Sequence, residues 1–216
     1  KSFMIELINS SKIAEARIIH EKKNSIDLIW NDKPKSKSEP FFFLENKISG
    51  CSSNIKIKKI KKKIDNNTLI ISSPESVCWL LNIRGYDLPN TPLVLSRLII
   101  SDHVITLYID LQKVPKSFKF VNKIIIKDIN SFYNDISKYT NEDVFIEKQV
   151  SYYIYKTLCK KNRVKVINDI CKDLKSIKNT TEIKNSKQAH LNDGVALVKF
   201  FYWLEKSLDQ NISEYE

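Results

Sequence analysis

The sequence lacks the features that mark disordered, collagen-like or membrane-spanning chains. It has 216 residues with only three Gly and six Pro, so collagen-like and low-complexity classes are excluded. Its longest nearly unbroken apolar run, Val195–Leu204, is too short for a bilayer, which a helix crosses with roughly 20 residues. No basic start followed by an apolar stretch and a small-residue cleavage site marks a secretory signal. We therefore expect one large or two small domains and no membrane partner.

Cysteine and histidine are too few and too scattered to indicate a metal site. Cys51, Cys78, Cys159 and Cys171 form no Cys-x-x-Cys pair, and the three His lie at no Cys–His ligand spacing. Four reduced structural thiols in a cytoplasmic protein are the simpler interpretation. His190 falls on an apolar stripe, where we expect a histidine that packs towards a core with one hydrogen bond.

Arginine is the scarce member of the basic residues. The formal net charge is +11, yet only four of the 36 basic residues are Arg. Proteins that recognise nucleic acid more often use Arg, because its guanidinium matches phosphates and guanine edges with two hydrogen bonds. The lysine run Lys56–Lys63 could bind phosphate or an anionic surface, but we interpret it as the solvated face of a helix. The apolar residues Ile57, Ile60 and Ile64 of that helix would pack on a sheet. We expect no specific binding of nucleic acid.

Strand and helix signals alternate after a polar segment at residues 34–40, whose two prolines are typical of a linker. Pro74 suits the first turn of a helix, and Glu75 suits the positive end of the helix dipole. The expected strands are 68–72, 93–100, 104–109, 123–127, 144–147 and 163–167, with 93–100 and 104–109 as a hairpin, and the expected helices are 74–81, 128–139 and 151–161. This alternation predicts an α/β fold with a mixed β-sheet flanked by helices.

One long C-terminal helix is expected after these elements. Thr180 or Thr181 is placed to cap it, and the apolar spacing continues to about Leu208. Over Val195–Leu204 the helix is apolar almost all round, whereas a surface helix normally buries a narrower face. We therefore expect this face to pack against protein outside this chain, either a further domain or a second subunit, including a second copy in a homodimer.

Three stretches resemble segments of the X-Pro aminopeptidases (aminopeptidase P). The segment Trp79–Asp87 has the letters WLLNIRGYD and is similar to the family's Trp-Leu-Leu-Asn-Ile-Arg-Gly-x-Asp motif. The segment Ala189–Val198 has the letters AHLNDGVALV and resembles the first helix of the family's catalytic domain. The stretch Asp27–Trp30 with Pro34 is similar to the junction between the family's first two domains. The order and spacing of the three stretches agree with the family.

The resemblance implies a fold like the creatinase amino-terminal domain and divides the chain into four regions. These are a remnant of a first amino-terminal domain at 1–33, a linker at 34–40, a second creatinase-type domain at 41–178, and the first helix of a pita-bread catalytic domain at 179–216. Family members use two divalent metals, manganese or zinc, to remove an N-terminal residue that precedes proline. The resemblance places the metal-binding strands after Glu216, so no catalytic residue, metal ligand or cofactor is expected in this chain.

The loop Asn82–Pro92 is the best candidate for a functional role. The resemblance implies that it lies at the rim of the substrate cleft, with Asn82, Arg84 and Asp87 as rim residues. Gly85 permits a positive φ, and Arg84 either pairs with Asp87 or holds a helix C-terminus. We therefore expect a non-catalytic part of an X-Pro aminopeptidase that shapes the cleft and a subunit interface, with peptide as substrate only of the intact enzyme. The alternative is a free-standing interaction or dimerisation module without peptidase activity.

Overall fold

The chain divides into two compact units in the computed structural model, which describes residues 2–19, 24–34, 39–65, 67–116, 124–207 and 213. The first unit comprises Lys1–Leu44 and Ser52–Ser176, and the second comprises Glu45–Cys51 and Ile177–Glu216. His20, Leu208 and residues 35–38 of the expected linker lie outside the described residues.

Helices and strands alternate through most of the chain. The helices are α1 (Ser2–Ile13), α2 (Ser25–Ile29), α3 (Asn46–Ser49), α4 (Ser53–Lys63), α5 (Pro74–Leu81), α6 (Phe132–Ile136), α7 (Tyr152–Cys159), α8 (Ile170–Ser176) and α9 (Thr180–Lys206). The strands are β1 (Phe42–Phe43), β2 (Thr68–Ile71), β3 (Ile83–Arg84), β4 (Ser96–Ile100), β5 (Ile105–Ile109), β6 (Ile124–Asp128), β7 (Asp143–Glu147) and β8 (Arg163–Ile167). Short 3₁₀ turns cover Leu111–Lys113 and Ile129–Ser131.

Six strands form one mixed sheet in the order β6-β5-β4-β2-β7-β8. Strand β4 is antiparallel to β2 and β5, whereas the pairs β2–β7, β7–β8 and β5–β6 are parallel. In this sheet, as far as the structure describes it, β4 alone runs against the other strands. The β4–β5 hairpin and the α/β class with a mixed sheet confirm the sequence-based predictions. Strands β1 and β3 pair separately, with Phe42 opposite Arg84.

The central strand β2 is buried on both faces because helices cover both sides of the sheet. Side chains alternate along a strand, so Leu69 and Ile71 belong to one core and Ile70 to the other. Helices α4, α5 and α8 line the first core with Ile57, Ile60, Val77, Leu80 and Cys171. Helices α6 and α7 line the second core with Phe132, Ile136, Ile154 and Leu158. The first unit is therefore a three-layer α/β/α structure.

Helix α5 begins and ends where the sequence predicts. Ser73 caps its start, since the Ser73 side chain accepts a hydrogen bond from the Ser76 N–H, and Pro74 occupies the first turn, where its missing N–H costs nothing. Every residue of Ser76–Leu81 is buried. A helix enclosed in this way fixes the direction of the loop that leaves its C-terminus.

Two helix predictions are corrected by the structure. The expected helix 128–139 is a 3₁₀ turn followed by the short α6, because Asp128 accepts the N–H of Asn130 at 2.8 Å and holds a turn geometry there. The N-cap of α9 is Asn179 rather than Thr180 or Thr181. Asn179 accepts the N–H of Glu182, and the Glu182 carboxylate accepts the Asn179 N–H, which completes a capping box.

Helices α3 and α9 form the second unit around a tight turn at Gly50. The Asn179 side chain donates to the carbonyl of Ser49 at 2.9 Å and so holds the start of α9 against the end of α3. Gly50 has φ +64°, and a Cβ there would lie 2.7 Å from the Cβ of Thr181. Both the left-handed backbone and the close approach therefore require glycine at this position.

Candidate functional site: the end of helix α5 and the loop that follows

Asn82 closes helix α5 in a left-handed conformation. It has φ 54° and ψ 36°, and its N–H donates to the carbonyl of Cys78. Asn adopts this conformation more readily than most residues because its short polar side chain can hydrogen-bond locally. Only 5% of Asn82 is exposed, so its side chain shapes the turn from the interior.

Lys56 of α4 brings a buried cation to the same end of α5. Its Nζ donates to the carbonyl oxygen of Trp79 at 2.9 Å and to Oδ1 of Asn82 at 2.6 Å. It also lies 4.4 Å from the centroid of the Trp79 ring. The last carbonyls of a helix carry partial negative charge, so a cation is favourable there. Lys56, which is only 4% exposed, therefore holds Asn82 and the last turn of α5 against α4.

Arg84 is a second cation on the last turn of α5. Its Nη1 donates to the carbonyl of Cys78 at 2.9 Å and to that of Ile83 at 2.8 Å. Burial lowers the pKa of the Arg84 guanidinium from its usual range, and the nearby Cys78 thiol acts in the opposite direction. Of the two alternatives that the sequence leaves open, the structure contains the one in which Arg84 holds a helix C-terminus.

Asp87 fixes the part of the loop that leads into β4. Its Oδ2 accepts a hydrogen bond from Lys113 Nζ at 2.8 Å and another from the N–H of Leu95 at 2.6 Å. The Asp87 N–H donates to the carbonyl of Leu93 at 3.1 Å. The Lys113 and Asp87 side chains are only 5% and 2% exposed, so this ion pair is shielded from water and from salt.

Gly85 is required for space rather than for a positive φ. Gly50 is the glycine with positive φ among the described residues, so Gly85 does not use the positive φ that a glycine permits. A Cβ on Gly85 would lie 2.8 Å from the Cβ of Val94 and 3.0 Å from the carbonyl oxygen of Leu93. The two arms of the loop therefore approach too closely for any side chain at this position.

The three predicted rim residues lie in one loop but are held by different groups. Asn82 and Arg84 both bind the last turn of α5, whereas Asp87 pairs with Lys113 rather than with Arg84. All three side chains hold the loop in place from inside. Their position at the rim of a substrate cleft stays a prediction.

Sequence reasoning missed the two lysines that hold this loop. Lys56 was expected on a solvated face, but it lies one turn before Ile60 and therefore shares the buried side of α4. The four-residue spacing between Lys56 and Ile60 could therefore have been used to predict that Lys56 is buried. Lys113 comes from a 3₁₀ turn that is remote in sequence from Asp87, and no local pattern distinguishes it from its exposed neighbours.

The exposed part of the loop region includes several aromatic and apolar side chains. The rings of Phe42 and Tyr86 lie 5.4 Å apart, and 50% of Tyr86 is exposed. Phe43 and Leu88 are exposed as well. The loop is therefore fixed by buried ionic groups and carries apolar side chains at its surface.

The second unit carries a long exposed apolar face on α9. A groove of about 550 Å³ is lined by His190, Leu191, Gly194, Val195, Val198 and Lys199. A Cβ at Gly194 would meet no atom within 4 Å, so a side chain added there would project into open space. The face continues through Leu197, Phe200, Phe201, Tyr202 and Trp203, all of them exposed. His190 is exposed rather than turned to a core, and its Nδ1 lies 2.8 Å from the carbonyl oxygen of Ser186.

The metal chemistry implied by the family resemblance has no matching residues in the described part of the chain. There, no group of three or more His, Cys, Asp or Glu side chains could hold a metal ion. His103, for example, is exposed and lies 3.4 Å from Asp102. The helices in the described ranges are all too short or too polar to span a membrane.

Sequence comparison finds relatives that are about three times as long as the matched region. The sequence model of the Creatinase/Prolidase N-terminal domain family matches residues 32–182. The probable Xaa-Pro aminopeptidase P of Chaetomium globosum is 30% identical over 221 residues, which cover 94% of this chain and 35% of that protein. Xaa-Pro aminopeptidase 1 of Dictyostelium discoideum is 29% identical over 97% of this chain and 35% of its own length. The chain thus spans about a third of these curated relatives.

Comparison with solved structures also finds an aminopeptidase that is similar to this chain. The crystal structure of the X-prolyl aminopeptidase from Caenorhabditis elegans matches with a TM-score of 0.85 and 25% identity, over 97% of this chain and 36% of that one. That protein is described as a cytosolic enzyme with a di-nuclear active site. The fold predicted from the sequence is confirmed, while the four domain boundaries stay predictions.

Proposed function

The chain belongs to the Creatinase/Prolidase N-terminal domain family, and from this premise we propose that it is a non-catalytic part of an Xaa-Pro aminopeptidase. In the intact enzyme, a separate catalytic part binds two divalent metals, manganese or zinc, and removes an N-terminal residue that precedes proline. This chain packs against the catalytic part and shapes access to its cleft. Peptide is a substrate of the assembled enzyme only.

The exposed apolar face of α9 is the observation that carries the proposal. Leu191, Val195 and Val198 are exposed along one side of the helix, and Phe200 and Trp203 are exposed beyond them. A contiguous apolar surface of this kind marks a contact with other protein. Its proposed occupant is the catalytic part, because the relatives contain about two-thirds of their length outside the region that this chain matches.

The loop that follows α5 is proposed to form the rim of the cleft. Support comes from the way the loop is held, since the buried groups of Asn82, Arg84 and Asp87 fix its backbone. A rim that positions a peptide has to keep its shape when the peptide binds, because ordering a mobile loop costs binding free energy. Tyr86 and Leu88 are the large apolar side chains that the loop exposes to a neighbouring surface.

The experiment joins this chain to a catalytic part. In Dictyostelium Xaa-Pro aminopeptidase 1, the matched third is replaced by this chain, and hydrolysis of an X-Pro peptide is followed with manganese. We expect turnover by the chimera and none by this chain alone above a metal-free control. Gly194→Leu fills the open groove of α9 and should reduce turnover of the chimera at least tenfold, whereas Gly194→Ala should reduce it much less.

The oligomeric state of the chain alone separates this proposal from the alternative. A monomer in sedimentation experiments, with the Gly194→Leu defect limited to the chimera, supports packing against a catalytic part. A stable homodimer of the chain alone, dissociated by Gly194→Leu, supports a free-standing dimerisation module instead. Peptide hydrolysis by the chain alone would contradict both.

A further inference from the structure

A buried carboxyl group lies where three parallel strands end. Glu147 is the last residue of β7 and is only 4% exposed. Strands β2 and β8 flank β7 and run parallel to it, so their carboxyl ends meet at the same edge of the sheet. The backbone N–H groups of Ser72 and Ser73, in the turn between β2 and α5, lie near the Glu147 carboxyl group.

The turn between β8 and α8 brings a second carboxylate to this point. Asp169 accepts the N–H of Cys171 at 2.8 Å and the N–H of Lys172 at 3.1 Å through Oδ1. Its Oδ2 accepts the hydroxyl of Ser76 in α5 at 2.5 Å. Asp169 therefore links the start of α8 to the start of α5.

The other ionisable groups around Glu147 are mostly acidic. Glu75 of α5 and the Cys171 thiol of α8 face the same region, and burial with the nearby carboxylates raises the pKa of Cys171. Lys148, Lys172 and Asp173 line a cleft of about 260 Å³ on the outer side, together with Glu147 and Asp169. The two lysines lie at the solvent side of this cluster.

Burial raises the pKa of Glu147 from its ordinary 4.5 to about 8, and the charge of Asp169 adds to the effect. The N–H groups of Ser72 and Ser73 act in the opposite direction because they favour the ionised form. Near neutral pH Glu147 is therefore mainly neutral, which allows it to lie beside the Asp169 carboxyl group.

We propose that Glu147 is the titrating group of a proton-sensitive joint between the β2–α5 turn and the β8–α8 turn. When Glu147 carries its proton, it adds no charge beside the Asp169 carboxyl group, and the two turns pack together. When Glu147 releases the proton to solvent, a buried negative charge faces the half-buried Asp169, and the turns separate more readily. The joint belongs to the fold of this chain and does not depend on the proposed peptidase role.

The sign of the effect follows from proton linkage. Because the pKa of Glu147 is higher in the closed joint than in an exposed carboxyl group, its contribution to closure is complete below pH 4.5 and is lost as the pH rises through about 8. If opening exposes Glu147 fully, the opening constant rises up to tenfold per pH unit over that interval. Above pH 8 it becomes constant.

Amide hydrogen exchange of the whole chain tests this joint. The N–H of Val77, which donates to Ser73, and the N–H of Cys171 report on the two turns. After correction for intrinsic exchange, their protection should fall at least tenfold between pH 6 and pH 8.5. Glu147→Gln should remove this fall. Asp143→Asn changes an exposed carboxylate at the other end of β7 and should leave the fall unchanged.

Two results would contradict the proposal. One is equal protection of the two amides at pH 6 and pH 8.5. The other is a Glu147→Gln variant in which protection still falls by the same factor. If Glu147→Gln does not fold, carbon-13 NMR of the unmodified chain decides the question. A Glu147 carboxyl midpoint near 8 that coincides with the loss of protection supports the joint, and a midpoint near the ordinary 4.5 rules it out.

Discussion

Lys113 and Asp87 form an ion pair whose two side chains are almost completely buried, with 2.8 Å between Nζ and Oδ2. The pair connects the 3₁₀ turn after β5 to the loop before β4, and Asp87 also accepts the Leu95 N–H. A buried pair contributes little net free energy compared with apolar residues, but removing one partner leaves an uncompensated charge. The loop geometry therefore depends on both partners being present.

The first prediction concerns this pair. Lys113→Met should lower the free energy of unfolding by about 3–5 kcal/mol, because Asp87 stays buried without its cation. Lys116→Met, at an exposed position of the same segment, should change it by less than about 0.5 kcal/mol. Urea unfolding followed by tryptophan fluorescence measures both. Equal effects of the two substitutions would contradict the structural role of Lys113, and adding Asp87→Leu to Lys113→Met should restore part of the loss.

The second prediction compares two lysines of α4. Lys56→Met removes a cation that binds the Trp79 carbonyl and Asn82, so we expect a loss of about 3 kcal/mol of unfolding free energy. Lys58→Met changes an exposed lysine of the same helix and should cost less than about 0.5 kcal/mol. Denaturant unfolding is the measurement. Lys56 is not a support of the α5 terminus if both variants unfold at the same urea concentration.

The third prediction separates the two glycines of the second unit. Gly50→Ala places a side chain at φ +64° and against Thr181, so the start of α9 should lose at least about 1 kcal/mol of stability. Gly194→Ala meets open space inside a helix and should stabilise α9 by about 1 kcal/mol. Circular dichroism at 222 nm during thermal unfolding distinguishes them. A stabilising effect of Gly50→Ala would contradict the described turn.

The fourth prediction concerns acid stability. Hydrogen bonds from Lys127, Lys138 and Tyr108 lower the pKa of Asp135, with Lys127 as the largest cause. Because the folded pKa is depressed, the contribution of Asp135 is present above its ordinary pKa and is lost as the pH falls through the folded value. The urea midpoint of the unmodified chain should therefore fall more steeply between pH 5 and pH 2.5 than that of Asp135→Asn. Parallel curves for the two proteins would exclude this source of acid sensitivity.

Local chemistry made several elements predictable. Strand β8 and helix α5 have the bounds that the sequence indicates, because Asn162 and Asn168 bound β8 and Ser73-Pro74 begins α5. The helix expected at 128–139 is shorter, since Asp128 competes for the backbone at its start. Periodicity alone does not detect such side-chain bonds.

The candidate site was predictable in position but not in its contacts. The motif Trp79–Asp87 located the loop, and holding a helix C-terminus was one of the two roles that the sequence left open for Arg84. The partners Lys56 and Lys113 come from other elements, and pairing across a fold depends on tertiary structure that no local window contains. Glu147 likewise ends an ordinary strand, and its environment is created by Asp169, which follows a different strand.

Helix α5 is held by carboxyl groups at its beginning and by cations at its end. Glu75, Glu147 and Asp169 lie at the N-terminal turn, while Lys56 and Arg84 bind the carbonyls of the C-terminal turn. Both sets oppose the partial charges of the helix dipole. An eight-residue helix is only about 12 Å long, so it moves as one stiff body. A displacement that begins at either turn must therefore strain the charged contacts of the opposite turn.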